Sequence, residues 1–333
     1  MKIILLVGIS GSGKSTWAKR YIKNDTEQKT VIVSRDAIRL SLYGLSDETY
    51  FEYYAESADV MKNREKAVSK FANSQIWFAI NSGFNVIVDN THLRKAYINE
   101  YKKYSVEIEL VIFNATEEEV IKRDLERTKT VGADVINRQI KMFNSLMNTE
   151  FIEEIDEYNK FVKKVFNSNS GYKKNLHHVA KPDAVVVDLD GTVALATNRN
   201  VHDLSRVLTD EPNRGVAEIV RVLHHHQVFQ YGSDTTNIIF CSGREDVCRE
   251  DTLAWLNNPD NGIVHPDIPF RNFHLRMRPS GTSELKDWEI KVNLWRNIQD
   301  DYNIIAMIDD RQQVCSVARR LGYTVAQVDY GDF

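Results

Sequence analysis

An unbroken apolar run, Ile3-Ile4-Leu5-Leu6-Val7, feeds directly into Gly8-Ile9-Ser10-Gly11-Ser12-Gly13-Lys14-Ser15, and helical sequence opens at Lys14. A buried strand that turns through glycines into a helix commits this part of the chain to an open α/β sheet. The glycines let backbone N–H groups turn inward, and the helix N-terminus adds its dipole, so the turn is built for a polyphosphate. Lys14 can reach the outer phosphates and the Ser15 hydroxyl suits Mg²⁺. The bland alternative, a glycine-rich turn without a ligand, does not need this strand–loop–helix context.

The rest of the chain repeats the pattern. Apolar runs at Val31–Val33, Val86–Val88 and Ile108–Phe113 alternate with helical stretches, notably Asp47–Ser82 and Glu117–Arg127. Such alternation predicts a parallel sheet covered on both faces. Residues 151, 152, 155, 158, 161, 162, 165 and 166 are apolar, a helical period that predicts a docking or connecting helix over Phe151–Phe166. Asn167-Ser168-Asn169-Ser170-Gly171 and the polar stretch to Pro182 read as a linker. A second alternation follows, with strands at Ala184–Val187, Ile238–Cys241, Ile304–Ile308 and Thr324–Val328 and helices at Val216–His225 and Glu284–Ile298. The expectation is an α/β protein of two domains, residues 1–150 and 182–333, joined by a helix and linker over 151–181.

Composition narrows the partners. Residues 1–150 hold 22 Lys/Arg against 20 Asp/Glu (+2), and residues 151–333 hold 21 against 27 (−6). Neither half has the broadly basic surface that coats duplex DNA, although a strand end held by a few arginines fits these totals. Three cysteines argue against a disulfide framework and for a reducing cytoplasm. No stretch approaches the ~20 apolar residues of a membrane span.

Beside the glycine-rich loop, Ser34-Arg35-Asp36-Ala37-Ile38-Arg39 follows the second strand, placing Asp36 and Arg39 on one face of a first helical turn. A carboxylate there can take the proton of an attacking hydroxyl while the arginine holds a phosphate. A helix-capping Asp36 with a solvated Arg39 is the competing reading. Asp89 ends a strand as a second acidic candidate. Arg123 and Arg127 are expected on one helical face just before Thr128–Gly132, which has the composition of a mobile lid; a solvated helix face is their alternative reading.

In the second half, Asp188-Leu189-Asp190-Gly191-Thr192 sets two carboxylates at a strand end. Asp188 is placed as a nucleophile and Asp190 as a proton donor around Mg²⁺. Ser242-Gly243-Arg244 follows the next strand, Lys291 lies mid-helix, and Asp309-Asp310-Arg311 completes an acidic metal site. This order, DxDGT, Ser, Lys, DD, resembles the haloacid dehalogenase superfamily of aspartate-based phosphatases. The triple histidine at 224–226 is read as solvated and structural, and Cys241 as a small core residue.

A P-loop half followed by such a phosphatase half resembles the bacteriophage polynucleotide 5′-kinase/3′-phosphatase family. The likeness covers nearly the whole chain: GSGKSTWA at 11–18, RDxxR at 35–39, Asp89, Arg123 and Arg127, DLDGT, SGRE at 242–245, MIDDR at 307–311 and GDF at 331–333. It implies a P-loop sheet followed by a haloacid dehalogenase-like Rossmannoid domain. It implies that Gly11, Ser12, Gly13, Lys14, Ser15, Thr16 and Arg123 bind ATP, with Ser15 on Mg²⁺ and Arg127 on the donor phosphates. Asp36 would activate a 5′-OH, with Arg39 and Asp89 on the acceptor. Asp188 and Asp190 would remove a 3′-phosphate or open a 2′,3′-cyclic phosphate. Arg199, Ser242, Gly243, Arg244, Arg278, Asp287 and Lys291 would support the substrate, and Asp188, Asp190, Asp309 and Asp310 the metal.

The expected partners are RNA or DNA ends and a nucleic-acid ligase; a homo-oligomer is compatible with this reading, and no membrane is expected. The expected location is the cytoplasm of an infected host cell. Two other readings compete: a kinase/phosphatase acting on a small metabolite, and a nucleotide-gated adaptor with decayed sites. The second predicts lost catalytic residues, whereas Lys14, Asp188, Asp190 and Asp309 are all present.

Overall fold

The computed structural model describes residues 1–127, 130–167, 171, 172, 174, 177–229, 237–264, 270 and 274–331, with backbone alone at 225–229, 330 and 331. The readings made for Thr128 and Lys129 of the lid, for linker residues 168–170, 173, 175 and 176, and for Asp332 and Phe333 lie outside the described residues. The chain divides into two compact units, Met1–Lys163 and Lys164–Phe333. Among the described residues no helix is long and apolar enough to cross a membrane.

The first unit runs β1 (Lys2–Val7), α1 (Lys14–Lys23), β2 (Thr30–Ser34), α2 (Arg35–Tyr43), α3 (Ala58–Asn81), β3 (Asn85–Asp89), α4 (Lys95–Asn99), β4 (Glu107–Ile112), α5 (Glu117–Leu125), α6 (Ala133–Met147) and α7 (Phe151–Phe166). The four strands form a parallel sheet in the order β2-β3-β1-β4. Ile3 to Val7 are fully buried, as an internal strand covered on both faces requires. The register pairs Ser34 with Asp89, so the carboxyl ends of β1, β2 and β3 converge, where ligands gather in open α/β sheets.

The continuous helix expected over Asp47–Ser82 is interrupted. Tyr50–Tyr54 forms a 3₁₀ turn, and α3 starts only at Ala58. The 3₁₀ period eclipses residues three apart, and Tyr50 and Tyr53 stack with ring planes 12° apart. The predicted helix over Phe151–Phe166 is present. Phe151, Ile155, Tyr158, Val162 and Val165 are its buried positions, and Asn159 exchanges two hydrogen bonds with the backbone of Ile108, capping part of the β4 edge.

The second unit runs β5 (Asp183–Val187), β6 (Ala194–Leu195), β7 (Glu211–Pro212), α8 (Arg214–Phe229), β8 (Asn237–Glu245), α9 (Arg249–Leu256), β9 (Leu275–Arg278), α10 (Asp287–Asp301), β10 (Asn303–Arg311), α11 (Gln312–Arg320) and β11 (Val325–Gly331). Its main sheet is parallel, in the order β11-β10-β5-β8-β9, and β6 and β7 form a small antiparallel ribbon. The core gathers Val185, Val187, Val220, Phe240, Trp255 and Leu256. β9 had no clear sequence signal, since only Leu275 and Met277 of its four residues are apolar.

One expectation is corrected here. His224 is not solvated but 4% exposed, with its ring 4.6 Å from that of Phe270. It continues the buried stripe of Val216, Ala217 and Val220 on α8, four residues beyond Val220. The side chains of His225 and His226 lie outside the described residues.

Candidate active sites

In the first unit, the loop between β1 and α1 is shaped by two left-handed glycines, Gly11 (φ 82°) and Gly13 (φ 98°). A Cβ on Gly11 would also press within 3.2 Å of the Val120 carbonyl. The loop is held from outside. Gly8 N donates to Thr91 O (3.0 Å), Ser10 N to Gln139 Oε1 (2.7 Å), and Arg123 Nη1 to Gly11 O (3.3 Å). Lys14 is buried, and its Nζ donates to Ile9 O at 2.7 Å. Burial pulls its ammonium down to about 8, against the pull of Asp89 upward. The buried Ser12 Oγ has no hydrogen-bond partner. A desolvated cation beside an unsatisfied hydroxyl fits an arriving polyphosphate. Ser15 and Thr16 are exposed at the start of α1.

Asp36 and Arg39 meet as their spacing predicted, Arg39 Nη1 to Asp36 Oδ1 at 2.7 Å. The capping alternative fails, because Ser34 Oγ caps α2 and the Arg39 side chain is only 13% exposed. Arg39 also forms a fork with Glu65, Nε to Oε1 at 2.8 Å and Nη2 to Oε2 at 3.0 Å. Burial pushes Glu65 upward, but hydrogen bonds from Arg39, Arg35 and Tyr53 outweigh it and hold the carboxyl at about 2. Tyr50 OH donates to Asp36 Oδ1 at 2.7 Å. Glu65 and Tyr50 had no signal in the sequence, since each reaches its partner across 14 to 26 residues.

Arg123 and Arg127 do not share a helical face. The helix α5 ends at Leu125, and Arg127 lies in the following turn with Nη1 3.6 Å from Asp124 Oδ1. The buried Asp124 carboxylate accepts from the N–H groups of Val131 and Gly132, which pulls the chain out of helical geometry.

Against the buried His92, Nδ1 lies 2.9 Å from Leu6 O and Nε2 3.1 Å from Tyr101 OH. Burial holds the ring down at about 4, so it is neutral. Its backbone adopts φ 48°, the strained turn that brings Thr91 O to Gly8.

In the second unit, Lys291 is the hub. Its Nζ lies 2.8 Å from Asp188 Oδ1, 2.8 Å from Asp309 Oδ2 and 3.3 Å from Asp287 Oδ2, with its side chain 1% exposed. Thr192 Oγ1 donates to Asp188 Oδ2 and Asp310 Oδ1. Burial pushes Asp188 up to about 7, with Lys291 opposing and Asp309 and Asp287 adding repulsion. Burial and Asp188 push Asp310 up to about 6. Oxygens of Asp188, Asp309 and Asp310 all lie within 4.8 Å of one another. With Arg278 and Arg311 turned to Asp287, Lys291 alone among the described residues is ion-paired to the cluster of Asp188, Asp309 and Asp310, and a divalent cation at these oxygens fits that deficit. Gly191 is required beside them: at φ 83°, an added Cβ would lie 2.4 Å from Asp310 Oδ2.

Asp190 points to the other side of the pocket. Both of its oxygens accept from Arg244 Nε at 2.9 Å, and it also faces Arg199 Nη2 (3.4 Å) and Ser242 Oγ (3.3 Å). Both arginines are held by Asp210, a buried residue that sequence reasoning missed. Arg199 reaches it through Nε (2.5 Å) and Nη2 (2.8 Å), and Arg244 through Nη2 (2.6 Å). The buried Arg244 Nη1 has no hydrogen-bond partner, which suits an incoming anion.

Arg278 is turned elsewhere, donating to the carbonyls of Gly243, Thr282 and Leu285, with Nη2 3.7 Å from Asp287. Gly243 lies so close to Asp287 that a Cβ would fall 2.3 Å from Oδ1. Arg311 Nη1 lies 3.5 Å from Asp287 Oδ2. Burial works against the Asp287 carboxylate, but Lys291, Arg311 and Arg278 hold its pKa below the ordinary value.

Residues 182–333 match the family described as the polynucleotide kinase PNKP phosphatase domain, and residues 3–147 match an AAA domain. A protein of Autographa californica nuclear polyhedrosis virus, described as a bifunctional polynucleotide kinase/RNA ligase, is 30% identical over 320 residues, 93% of this chain. The second unit is a polynucleotide kinase PNKP phosphatase domain. The chain's architecture is thus a P-loop domain followed by a haloacid dehalogenase-like phosphatase domain, as the motif order predicted. The chain spans 40% of the length of the viral relative. A mouse protein, heterogeneous nuclear ribonucleoprotein U-like protein 2, is 26% identical over 147 residues, 42% of this chain and 18% of that one. A chain in the structure of the Pnkp1/Rnl/Hen1 RNA repair complex is 26% identical, with 100% of this chain and 97% of that chain covered and a TM-score of 0.40.

Proposed function

We propose that this protein repairs nucleic-acid ends, adding a phosphate at one terminus and removing one at the other. In the first unit, Gly11 to Thr16 and Arg123 hold the phosphates of ATP, and Arg127 steadies the transferring group. Asp36 accepts the proton of a strand's 5′-hydroxyl, while Arg39 and Asp89 position the acceptor. In the second unit, Asp188 attacks a 3′-phosphate to form an aspartyl phosphate while Asp190 gives a proton to the leaving 3′-oxygen. Water then hydrolyses the acyl phosphate to release inorganic phosphate and free Asp188. A 2′,3′-cyclic phosphate would first be opened to a monoester by the same attack and hydrolysis. Arg199, Ser242, Gly243 and Arg244 receive the phosphoryl oxygens. Asp287, Lys291 and Arg278 maintain the pocket beneath them.

Asp188, Asp309 and Asp310 would hold Mg²⁺ in the second unit, and Ser15 in the first; Asp190, expected among the metal ligands, has its carboxylate turned to Arg199 and Arg244 instead. The ion supplies positive charge to phosphate oxygens in each. The products, a 5′-phosphate and a 3′-hydroxyl, are the termini that a nucleic-acid ligase seals, so a ligase is the expected partner. The three cysteines are buried free thiols, which suits a reducing compartment such as the cytoplasm.

The observation that carries this reading is the coexistence, in one chain, of a hydroxyl-activating pair beside a phosphate loop (Asp36 and Arg39, 2.7 Å) and a buried nucleophilic carboxylate paired with Lys291 (2.8 Å). The test is incubation with labelled ATP and short RNA or DNA oligomers bearing 5′-OH and 3′-phosphate ends. Label at the 5′ terminus together with release of 3′-phosphate supports it. Phosphorylation of small hydroxylated metabolites with inert oligomers would refute it.

A further inference from the structure

The interrupted helix next to Asp36 has a use that the reaction chemistry leaves open. Tyr50–Tyr54 is a 3₁₀ turn, in which residues three apart lie on the same side. One side carries Tyr50 and Tyr53, both buried. The adjacent side carries Phe51 and Tyr54, which are 70% and 55% exposed. The buried pair fixes the turn: Tyr50 OH bonds Asp36, Tyr53 OH bonds Glu65 Oε1 at 2.8 Å, and Tyr43 packs edge-on to Tyr53 with centroids 5.4 Å apart. Arg39 lies 5.6 Å from the Tyr53 ring centroid, and Arg64 lies 4.8 Å from that of Tyr43. Tyr54 is braced edge-on by Tyr53 and Tyr50, centroids 5.0 and 5.7 Å apart, yet keeps half its surface in water. One large ring, Tyr54, is thus held rigidly in solvent with Phe51 exposed on the same side of the turn, both four residues or fewer from the residue that touches Asp36.

We propose that Phe51 and Tyr54 form a stacking platform for the unpaired bases next to the 5′-hydroxyl being phosphorylated. The inference rests on the kinase reading above and names its acceptor as a single strand. Rings braced in this way offer flat apolar faces at little entropic cost, and every base can stack on them, so the platform is sequence-tolerant. Position favours a nucleic acid over a peptide as occupant, because Tyr50 ties the turn to Asp36, the carboxylate read as serving a strand's 5′-hydroxyl. Lys62, Lys66 and Lys70 recur every fourth residue along the exposed side of α3, one position beyond Glu65 and Ser69, which hold Arg35. A polyanionic backbone suits that stripe, whereas exposed Glu52, Glu56 and Asp59 beside the rings leave them to the uncharged base faces.

The test uses the full chain and 5′-OH oligonucleotides carrying 2-aminopurine at the first or second position. Wild-type protein should quench the probe on binding. The double variant Phe51→Ala/Tyr54→Ala should lose the quench and raise the KM for the oligonucleotide about 10- to 100-fold, the range that one or two stacked bases give. Its kcat should change far less, and Tyr54→Trp should restore both readouts. The 3′-phosphatase rate of the double variant, measured on the same preparation, reports its integrity. Unchanged KM and quench in the double variant would overturn the platform while leaving the kinase reading in place. A change in oligomeric state with unchanged KM would do the same and assign the face to a protein contact. If the wild type itself transfers no phosphate to any oligonucleotide, the kinase reading is what has failed.

Discussion

Asp210 accepts a hydrogen bond from Arg244 at 2.6 Å, and neither side chain is more than 1% exposed. The same carboxylate binds Arg199, so a single buried anion sets the direction of both guanidinium groups that face Asp190. Removing it strands two buried cations. Asp210→Ala should abolish phosphatase activity and destabilise the second unit by about 3–5 kcal/mol, the usual cost of breaking a buried ion pair from one side. Asp210→Asn should fold better yet stay impaired, since an amide leaves the two positive charges unbalanced. Thermal melts and parallel assays of both activities check this, and equal loss of kinase activity would contradict it.

The two reactions should separate cleanly by mutation. Asp36→Asn removes the proton acceptor while keeping the shape that Arg39 and Tyr50 contact, and should slow 5′ transfer about 100- to 10,000-fold. Its 3′-phosphatase rate should match wild type. Asp188→Asn should do the reverse. Paired assays on each variant decide the matter, and a variant that silences both reactions equally would falsify the two-site assignment.

These expectations also mark how far the sequence carried the reading. The strands were legible because Ile3–Val7 and Ala184–Val187 are unbroken apolar runs, and the P-loop because its glycines must adopt left-handed backbone. Asp36 and Arg39 were legible because three residues along a helix is a local relation. Asp210 and Glu65 were not, since each answers an arginine far along the chain, 34 residues away for Asp210 and Arg244, and 26 for Glu65 and Arg39. Position in sequence gives no hint of such counter-ions. The turn at Tyr50 was missed for a related reason: its aromatic residues satisfy a helical pattern, and only the stacking of Tyr50 on Tyr53 selects the tighter period.

Gly191 offers a steric test. An alanine there must accommodate a Cβ 2.4 Å from Asp310 Oδ2, in a left-handed conformation that costs a non-glycine residue about 1–2 kcal/mol. Gly191→Ala should therefore displace Asp310 and cut phosphatase activity severely, with kinase activity intact. Titration of the variant with Mg²⁺, followed by thermal shift, should show weakened stabilisation. Wild-type metal response would argue that Asp310 lies outside the metal site.

Metal removal should reveal the carboxylate cluster through pH. In the metal-free protein Asp188 sits at about 7, against 3.8 when solvated, and Asp310 at about 6. The folded state therefore holds protons that the unfolded chain has released. Their contribution to stability is complete below about 3.8 and is lost as pH rises through about 6 to 7. With chelator present, the second unit should become less stable between pH 5 and 8 (roughly, by this linkage). Millimolar Mg²⁺, which favours the ionised carboxylates, should stabilise it more at the upper end. Melting curves across that window, with and without chelator, give the sign directly, and a magnesium effect that shrinks with rising pH would contradict the assignment.

Lys14 should report nucleotide binding through protons. Burial holds its ammonium at about 8 against 10.5 in water, so near that pH the free protein carries only part of the charge. Because the unfolded chain binds the proton that the folded one sheds, the nucleotide-free protein should gain stability as pH climbs from about 8 toward 10.5. A triphosphate reverses the balance, because its charge favours the ammonium, so binding at pH 8 to 9 (about the midpoint of that titration) should draw in a fraction of a proton per site. Calorimetry of ATP binding in buffers of different ionisation heat measures that uptake. It should vanish in Lys14→Met, which also should not transfer phosphate. Uptake that persists in this variant would place the titrating group elsewhere.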